Sequence, residues 1–201
     1  MTQGPRRVGL FGGSFDPVHL AHLSLARVAM KQLALDELRW VPAGQPWQKA
    51  GREVTPAAHR EAMVRLMIEG IPGFVLDRSE LLREGPSYTV DTVRALAAEN
   101  PAAARPRIFL VIGQDQYARL HTWHDWQGLL QEATLAVAAR QGEGVRAPEA
   151  LAGISHQVVR LEMPALNTSS SAVRASVSRG ENIRPMVGDA VAEYIALHRL
   201  Y

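Results

Sequence analysis

His19 and His22 stand three residues apart behind a glycine pair, in the stretch Gly12-Gly13-Ser14-Phe15-Asp16-Pro17-Val18-His19-Leu20-Ala21-His22. At helical spacing the two imidazoles project from one side of a single turn. The apolar run before them, Val8 to Phe11, reads as a buried strand. Asp16-Pro17 reads as a helix start, with Asp16 near the N-cap and Pro17 near the first helical position. A strand, a glycine turn and a helix N-terminus together present backbone N–H groups and a positive dipole end, which suits a phosphate. Each feature alone has an ordinary explanation as a tight turn or a solvated cap, but packing does not account for their joint occurrence. Two familiar chemistries are excluded. Zinc proteases place two histidines at i, i+4 beside a glutamate, and dinucleotide-binding turns need G-x-G-x-x-G; neither pattern is present.

A second cluster lies far along the chain, in Thr168-Ser169-Ser170-Ser171-Ala172-Val173-Arg174. Consecutive hydroxyls at a helix start supply donors beside free N–H groups, and Arg174 follows one turn later. Taken alone, this is equally an ordinary serine-rich cap with a solvated arginine.

The elements that must hold these residues alternate in type. Apolar runs at Val8–Phe11, Leu38–Val41, Phe74–Leu76, Ile108–Ile112, Leu135–Ala138 and Val158–Leu161 read as strands. Helical stripes fall between them: Leu23, Ala26, Met30 and Leu33; then Ala62, Met63, Leu66 and Met67; then Val90, Val93 and Leu96 in Thr89–Ala98. Pro101–Pro106 reads as a turn, Gln141–Gly153 as an irregular region, and two helices close the chain. This alternation implies an α/β fold, a Rossmann-like doubly wound parallel sheet in a single domain over residues 1–201. Ile108–Ile112, five apolar residues long, is its expected central strand. Ligands in such sheets bind beyond the carboxyl ends of the strands. The histidines follow the first strand, Lys49 the second, Gly113-Gln114-Asp115 the central one and residues 167–174 the last.

The chain has 201 residues, 47% of them hydrophobic and 21% charged, in the range of a globular protein with a substantial core. A net charge of +2 without a Lys/Arg block gives no nucleic-acid-binding face. Zero cysteines exclude disulfides, thiolate metal sites and cysteine nucleophiles. No leader-like or membrane-spanning apolar run occurs, so a cytoplasmic location without a membrane partner is expected.

GGSFDPVHLAH resembles the signature of the nucleotidyltransferases that share an HxGH motif with class I aminoacyl-tRNA synthetases. Within them the chain is similar along its length to the nicotinate-mononucleotide adenylyltransferases. Ala21 replaces the usual glycine between the histidines, and Gln48 stands where many members carry histidine. The resemblance implies that Gly12, Gly13, Ser14, Phe15, His19 and His22 contact ATP. It implies further that Gly113 and Asp115 form a GxD turn at the ribose. Ser169, Ser171 and Arg174 match a motif that grips the β- and γ-phosphates, with Thr168 in place of an isoleucine. On the acceptor side, it implies that Lys49 meets the mononucleotide phosphate and that Tyr88 and Thr89 line the nicotinate pocket. Trp123 would stack on the ring, beside amide donors near His124. Without the resemblance, Ser87–Thr89 reads as a helix cap, Asp91 as a first-turn acid, and Trp123 and Trp126 as core.

The implied reaction transfers AMP from ATP to nicotinate mononucleotide, releasing pyrophosphate and deamido-NAD, with Mg²⁺ carried by the triphosphate and no dedicated metal ligands. His19, His22 and Arg174 are the expected catalytic residues. Two other readings stay open: the same transfer to nicotinamide mononucleotide or phosphopantetheine, and a nucleotide-binding module without turnover. Homo-oligomer formation is left open as well.

Overall fold

The computed structural model describes residues 4–45, 54–99, 105–140, 143–164 and 168–201. Six strands form one all-parallel sheet: β1 (Arg7–Gly13), β2 (Glu37–Pro42), β3 (Phe74–Leu76), β4 (Arg107–Gly113), β5 (Thr134–Arg140) and β6 (Val158–Met163). Their order across the sheet is β3-β2-β1-β4-β5-β6. The order reverses between β1 and β4, the position at which doubly wound sheets open a crevice for ligands.

The described helices are α1 (Leu20–Gln32), α2 (Ala57–Ile68), α3 (Ser79–Leu82), α4 (Thr89–Ala98), α5 (Gln114–Ala118), α6 (Trp126–Glu132), α7 (Ser170–Ser178), α8 (Arg184–Val187) and α9 (Asp189–His198). Alternating side chains of the four inner strands, β1, β2, β4 and β5, feed two cores. Phe109 and Val111 of β4 join one core, with α1, α2 and α7–α9; Ile108, Leu110 and Ile112 join the other, with α4 and α6. Both faces of the central strands are therefore covered, which is why β4 reads as an unbroken apolar run.

The expected strands are all present, β3 at its expected bounds and the other five longer by two or three residues, and Thr89–Ala98 is helical as expected. Three helices rather than two close the chain, because the four-residue α8 precedes α9. The expected start of α1 is displaced. Asp16 and Pro17 are not its cap; the helix begins at Leu20 with His19 as N-cap. Phe15, at 1% exposure, and Val18, at 0%, are packed into the core instead, so the residues between strand and helix form a buried plug. Within it Phe15 adopts φ +46°, a left-handed conformation uncommon for a bulky residue, and the Asp16–Pro17 bond is cis. On α1, Leu25, Ala26 and Ala29 are buried, as is Leu33 at its C-cap, while Leu23 and Met30 pack on the rim of the core. The turn expected at 101–106 lies largely outside the described residues.

Candidate active site

A cavity of about 570 Å³ opens at the carboxyl ends of β1 and β4. Its volume falls within the range of small-molecule sites. Gly12, Gly13, Ser14, Phe15, His19 and His22 line it from the first crossover, and Gly113 and Asp115 from the end of β4. Thr168 and Ser170 enter from the start of α7, and Thr89 and Trp123 from the opposite face of the sheet. The two histidines and the hydroxyl cap thus share one cleft, although about 150 residues separate them in the chain. A Cβ on Gly113 would meet no protein atom within 4 Å, and one on Gly12 only the Val41 carbonyl oxygen at that limit. Protein packing does not demand glycine at these two positions, which leave the backbone open to the cavity.

The imidazoles of His19 and His22 stack with centroids 3.6 Å apart. The His19 backbone N–H donates to His22 Nδ1 at 3.2 Å. That bond makes Nδ1 the acceptor, so the proton of neutral His22 sits on Nε2, where it is a donor. Phe15 meets the His22 ring edge-on at 5.1 Å, and Phe11 and Trp40 pack behind it. His19 is 6% exposed, and its Nδ1 is buried without a partner among the described residues. Burial lowers its pKa to about 4, so it is neutral at physiological pH.

Ser170 Oγ donates to the Pro17 carbonyl at 2.9 Å, tying α7 directly to the plug. Ser169 caps α7 by accepting from the Ala172 N–H at 3.2 Å. Arg174 Nη2 donates to Ser171 Oγ at 3.1 Å, and Nη1 donates to the Asp16 carbonyl. Asp16 itself is buried and accepts from the Tyr201 hydroxyl at 2.8 Å. Thr168 and Ser170 line the cavity, and Ser169, Ser171 and Arg174 are not among its lining residues.

On the opposite side, Trp123 both lines the cavity and packs on the second core, and its Nε1 is buried without a partner among the described residues. Trp126 packs on the same core, as expected. Tyr88 and His124 do not line the cavity; their rings stack with centroids 4.0 Å apart. Lys49 lies outside the described residues.

Four residues to which sequence reasoning gave no place in the site also shape it. Ser87–Thr89 was expected to form a helix cap, and within it Tyr88 is the N-cap of α4. Ser87 Oγ instead accepts from the N–H groups of Gly44 and Gln45, at 3.1 and 3.4 Å. Glu80, buried and lining the cavity, accepts from Thr92 Oγ1 at 2.9 Å, and burial raises its pKa. Arg60, on the inward face of α2, was legible as a lone cation within an apolar stripe. Gly44 was legible only as part of a loop. A Cβ there would collide with the Glu80 carbonyl oxygen. Gly44→Ala is accordingly expected to cost about 1–3 kcal/mol of stability. In urea titrations the midpoint should fall with the slope unchanged; an unchanged midpoint would contradict this packing.

Comparison with known proteins points the same way. The cytidylyltransferase-like family pattern matches residues 10–176. A Methylibium petroleiphilum protein named "Probable nicotinate-nucleotide adenylyltransferase" is 50% identical over 200 residues, covering 98% of this chain and 92% of its own. An Albidiferax ferrireducens protein of the same name is 45% identical over 199 residues, covering 98% of both chains. Among solved structures, Plasmodium falciparum nicotinic acid mononucleotide adenylyltransferase complexed with NaAD matches at a TM-score of 0.77 and 18% identity. That match covers 98% of this chain and 97% of the other, a likeness of fold.

Proposed function

The chain belongs to the cytidylyltransferase-like family and, within it, to the nicotinate-nucleotide adenylyltransferases, and from that premise we infer how its own residues serve adenylyl transfer in NAD biosynthesis. The phosphate of nicotinate mononucleotide attacks the α-phosphorus of ATP; a new P–O bond forms, the bond to the bridging oxygen breaks, and pyrophosphate departs. The nucleophile is already an anion, so no covalent intermediate and no activating base are required. Catalysis rests on aligning two polyanions and stabilising charge on the pentacoordinate centre.

The observation that carries this reading is the shared cleft of His19, His22, Thr168 and Ser170 at the β1/β4 switch point. His22 Nε2–H and His19 donate toward the α/β bridging region without adding formal charge, and the Gly12–Phe15 turn offers backbone amides to phosphate oxygens. Arg174 reaches for the departing pyrophosphate. Gly113 and Asp115 meet the riboses. Lys49 meets the mononucleotide phosphate, Thr89 lies at the nicotinate, and Trp123 offers a flat apolar face to its ring. Tyr88 and His124, stacked on each other, support that wall from outside the cavity. Ser169 and Ser171 set the cap that presents Ser170.

Among the described residues no group of three or more His, Cys, Asp or Glu side chains could hold a metal ion. A Mg²⁺ ion carried by the triphosphate would supply charge compensation at the cleft. No described helix is long and apolar enough to cross a membrane. We propose that residues 1–201 act as one catalytic unit, in the cytoplasm.

Pyrophosphate release from ATP, measured side by side with nicotinate mononucleotide, nicotinamide mononucleotide and phosphopantetheine, tests the acceptor. A charge-assisted hydrogen bond to the nicotinate carboxylate, absent from the amide, is worth about 10–100-fold in kcat/KM. Preference for the amide would overturn the acceptor, and ATP binding without release for any acceptor would reduce the chain to a binding module.

A further inference from the structure

Arg60 occupies the inward face of α2 beside Met63, Val64, Met67 and Ile68, and it is 2% exposed. Its guanidinium fork is spent on three backbone carbonyls: Nε on Thr55 at 2.8 Å, Nη1 on Ser14 at 2.9 Å and Nη2 on Gly44 at 3.3 Å. Among the described residues no carboxylate pairs with it; burial pulls its pKa down, and the nearby Asp16 charge opposes this. Burying a guanidinium costs several kcal/mol unless its hydrogen bonds are well made. An apolar residue would satisfy the stripe without that cost. What Arg60 alone supplies is a rigid, planar triple donor holding the end of β1 and the loop after β2 to one point.

The consequence lies on the far side of the peptide units that it grips. In a trans peptide the C=O and N–H point in opposite directions. Gly44 illustrates this: its carbonyl faces Arg60, and the following Gln45 N–H donates away from it, to Ser87 Oγ. The Ser14 carbonyl is held in the same way, so the Phe15 N–H faces away from Arg60. Ser14 and Phe15 both line the cavity, and the Phe15 N–H has no hydrogen-bond partner among the described residues. The left-handed backbone of Phe15 fits an amide held in place from behind.

We propose that Arg60 is a positioning residue that locks the Ser14–Phe15 peptide so that its N–H faces the substrate phosphates, and that it ties the loop after β2 to the same point. The assignment rests on the adenylyl-transfer reading. The direct contact belongs to the Phe15 amide; Arg60 acts through it.

Steady-state kinetics of the full chain with ATP and nicotinate mononucleotide, for wild type, Arg60→Met and Arg60→Lys, test the proposal. Rates are normalised to the folded fraction measured by circular dichroism at the assay temperature. Arg60→Met is expected to lose about 10–100-fold in kcat per folded molecule, toward the lower end of what removing one preorganised donor costs. KM for ATP should change by less than about 3-fold, since such donors count most as charge develops. Arg60→Lys, which keeps the charge but not the fork, should recover part of the loss. A purely structural role instead predicts normal turnover per folded molecule, and that result in either variant overturns the proposal. If both variants fail to fold, Arg60 is a folding residue and the proposal is likewise overturned. A wild-type chain that releases no pyrophosphate would instead sink the adenylyl-transfer reading, so the two failures are distinguishable.

Discussion

His22→Ala is expected to lower kcat by about 10²–10³-fold, the cost of removing one preorganised donor from a developing oxyanion. The geometry explains why one side chain carries so much. The tautomer of His22 is fixed by the His19 backbone N–H at Nδ1, and its ring is held between His19, stacked at 3.6 Å, and Phe15, edge-on at 5.1 Å. The donor is oriented before substrate arrives and needs no reorganisation during the reaction. Truncation also strips the His19 N–H of its partner, a cost of about 1 kcal/mol to stability that thermal unfolding would report separately. Single-turnover measurement of pyrophosphate release separates chemistry from product dissociation, and near-normal turnover would contradict the assigned role. A pH profile adds a second check. His19, held near 4, stays neutral across pH 5–8, so activity changes in that window do not come from its titration in the free enzyme. Stability has a definite sign here: the lowered pKa favours the fold above the ordinary histidine value, and that contribution is lost as pH falls from about 6.5 toward 4.

Which parts of this site were legible from sequence follows from what each residue type can signal. β4 announced itself because both of its faces are covered, leaving Ile108–Ile112 without a polar position. α4 was placed at its observed bounds because Val90, Val93 and Leu96 share one face. The start of α1 was misplaced because Asp-Pro is a good local helix signal, and only tertiary packing reveals that Phe15 and Val18 are drawn into the core. The Ser87–Thr89 cap was legible, with Tyr88 as its N-cap, but the tie from Ser87 to Gly44 was not, because a long-range strap leaves no mark on the local sequence. The histidine turn and the serine cap were each legible as motifs. Their meeting was not, since the Ser170–Pro17 and Arg174–Asp16 bonds span more than 150 residues. Family resemblance pointed to Ser169 and Ser171, but Ser170 faces the cavity, because capping fixes Ser169 against its own helix and Arg174 takes Ser171.

Arg174→Ala is expected to lower kcat/KM for ATP by about 10–100-fold, the span of losing one charged hydrogen-bonding group worth 1.5–3 kcal/mol. Arg174 sits one turn into α7, braced on Ser171 Oγ and reaching the Asp16 carbonyl. It stands on the same side of the cleft as the cap that Ser170 and Thr168 present. A planar fork that exchanges its Ser171 and Asp16 partners for phosphate can hold two oxygens at once, which an ammonium cannot, so Arg174→Lys should restore less than the preserved charge suggests. Loss of the tie to Asp16 could by itself loosen the plug, and product inhibition separates the two effects. A residue that grips the departing group weakens inhibition by pyrophosphate when it is removed, by roughly the same 10–100-fold, because the product makes the same contact. A loosened plug lowers activity and thermal stability without singling out pyrophosphate. An unchanged pyrophosphate inhibition constant in Arg174→Ala would therefore confine this arginine to holding Asp16 and leave the departing group to the histidines and the metal-bound triphosphate.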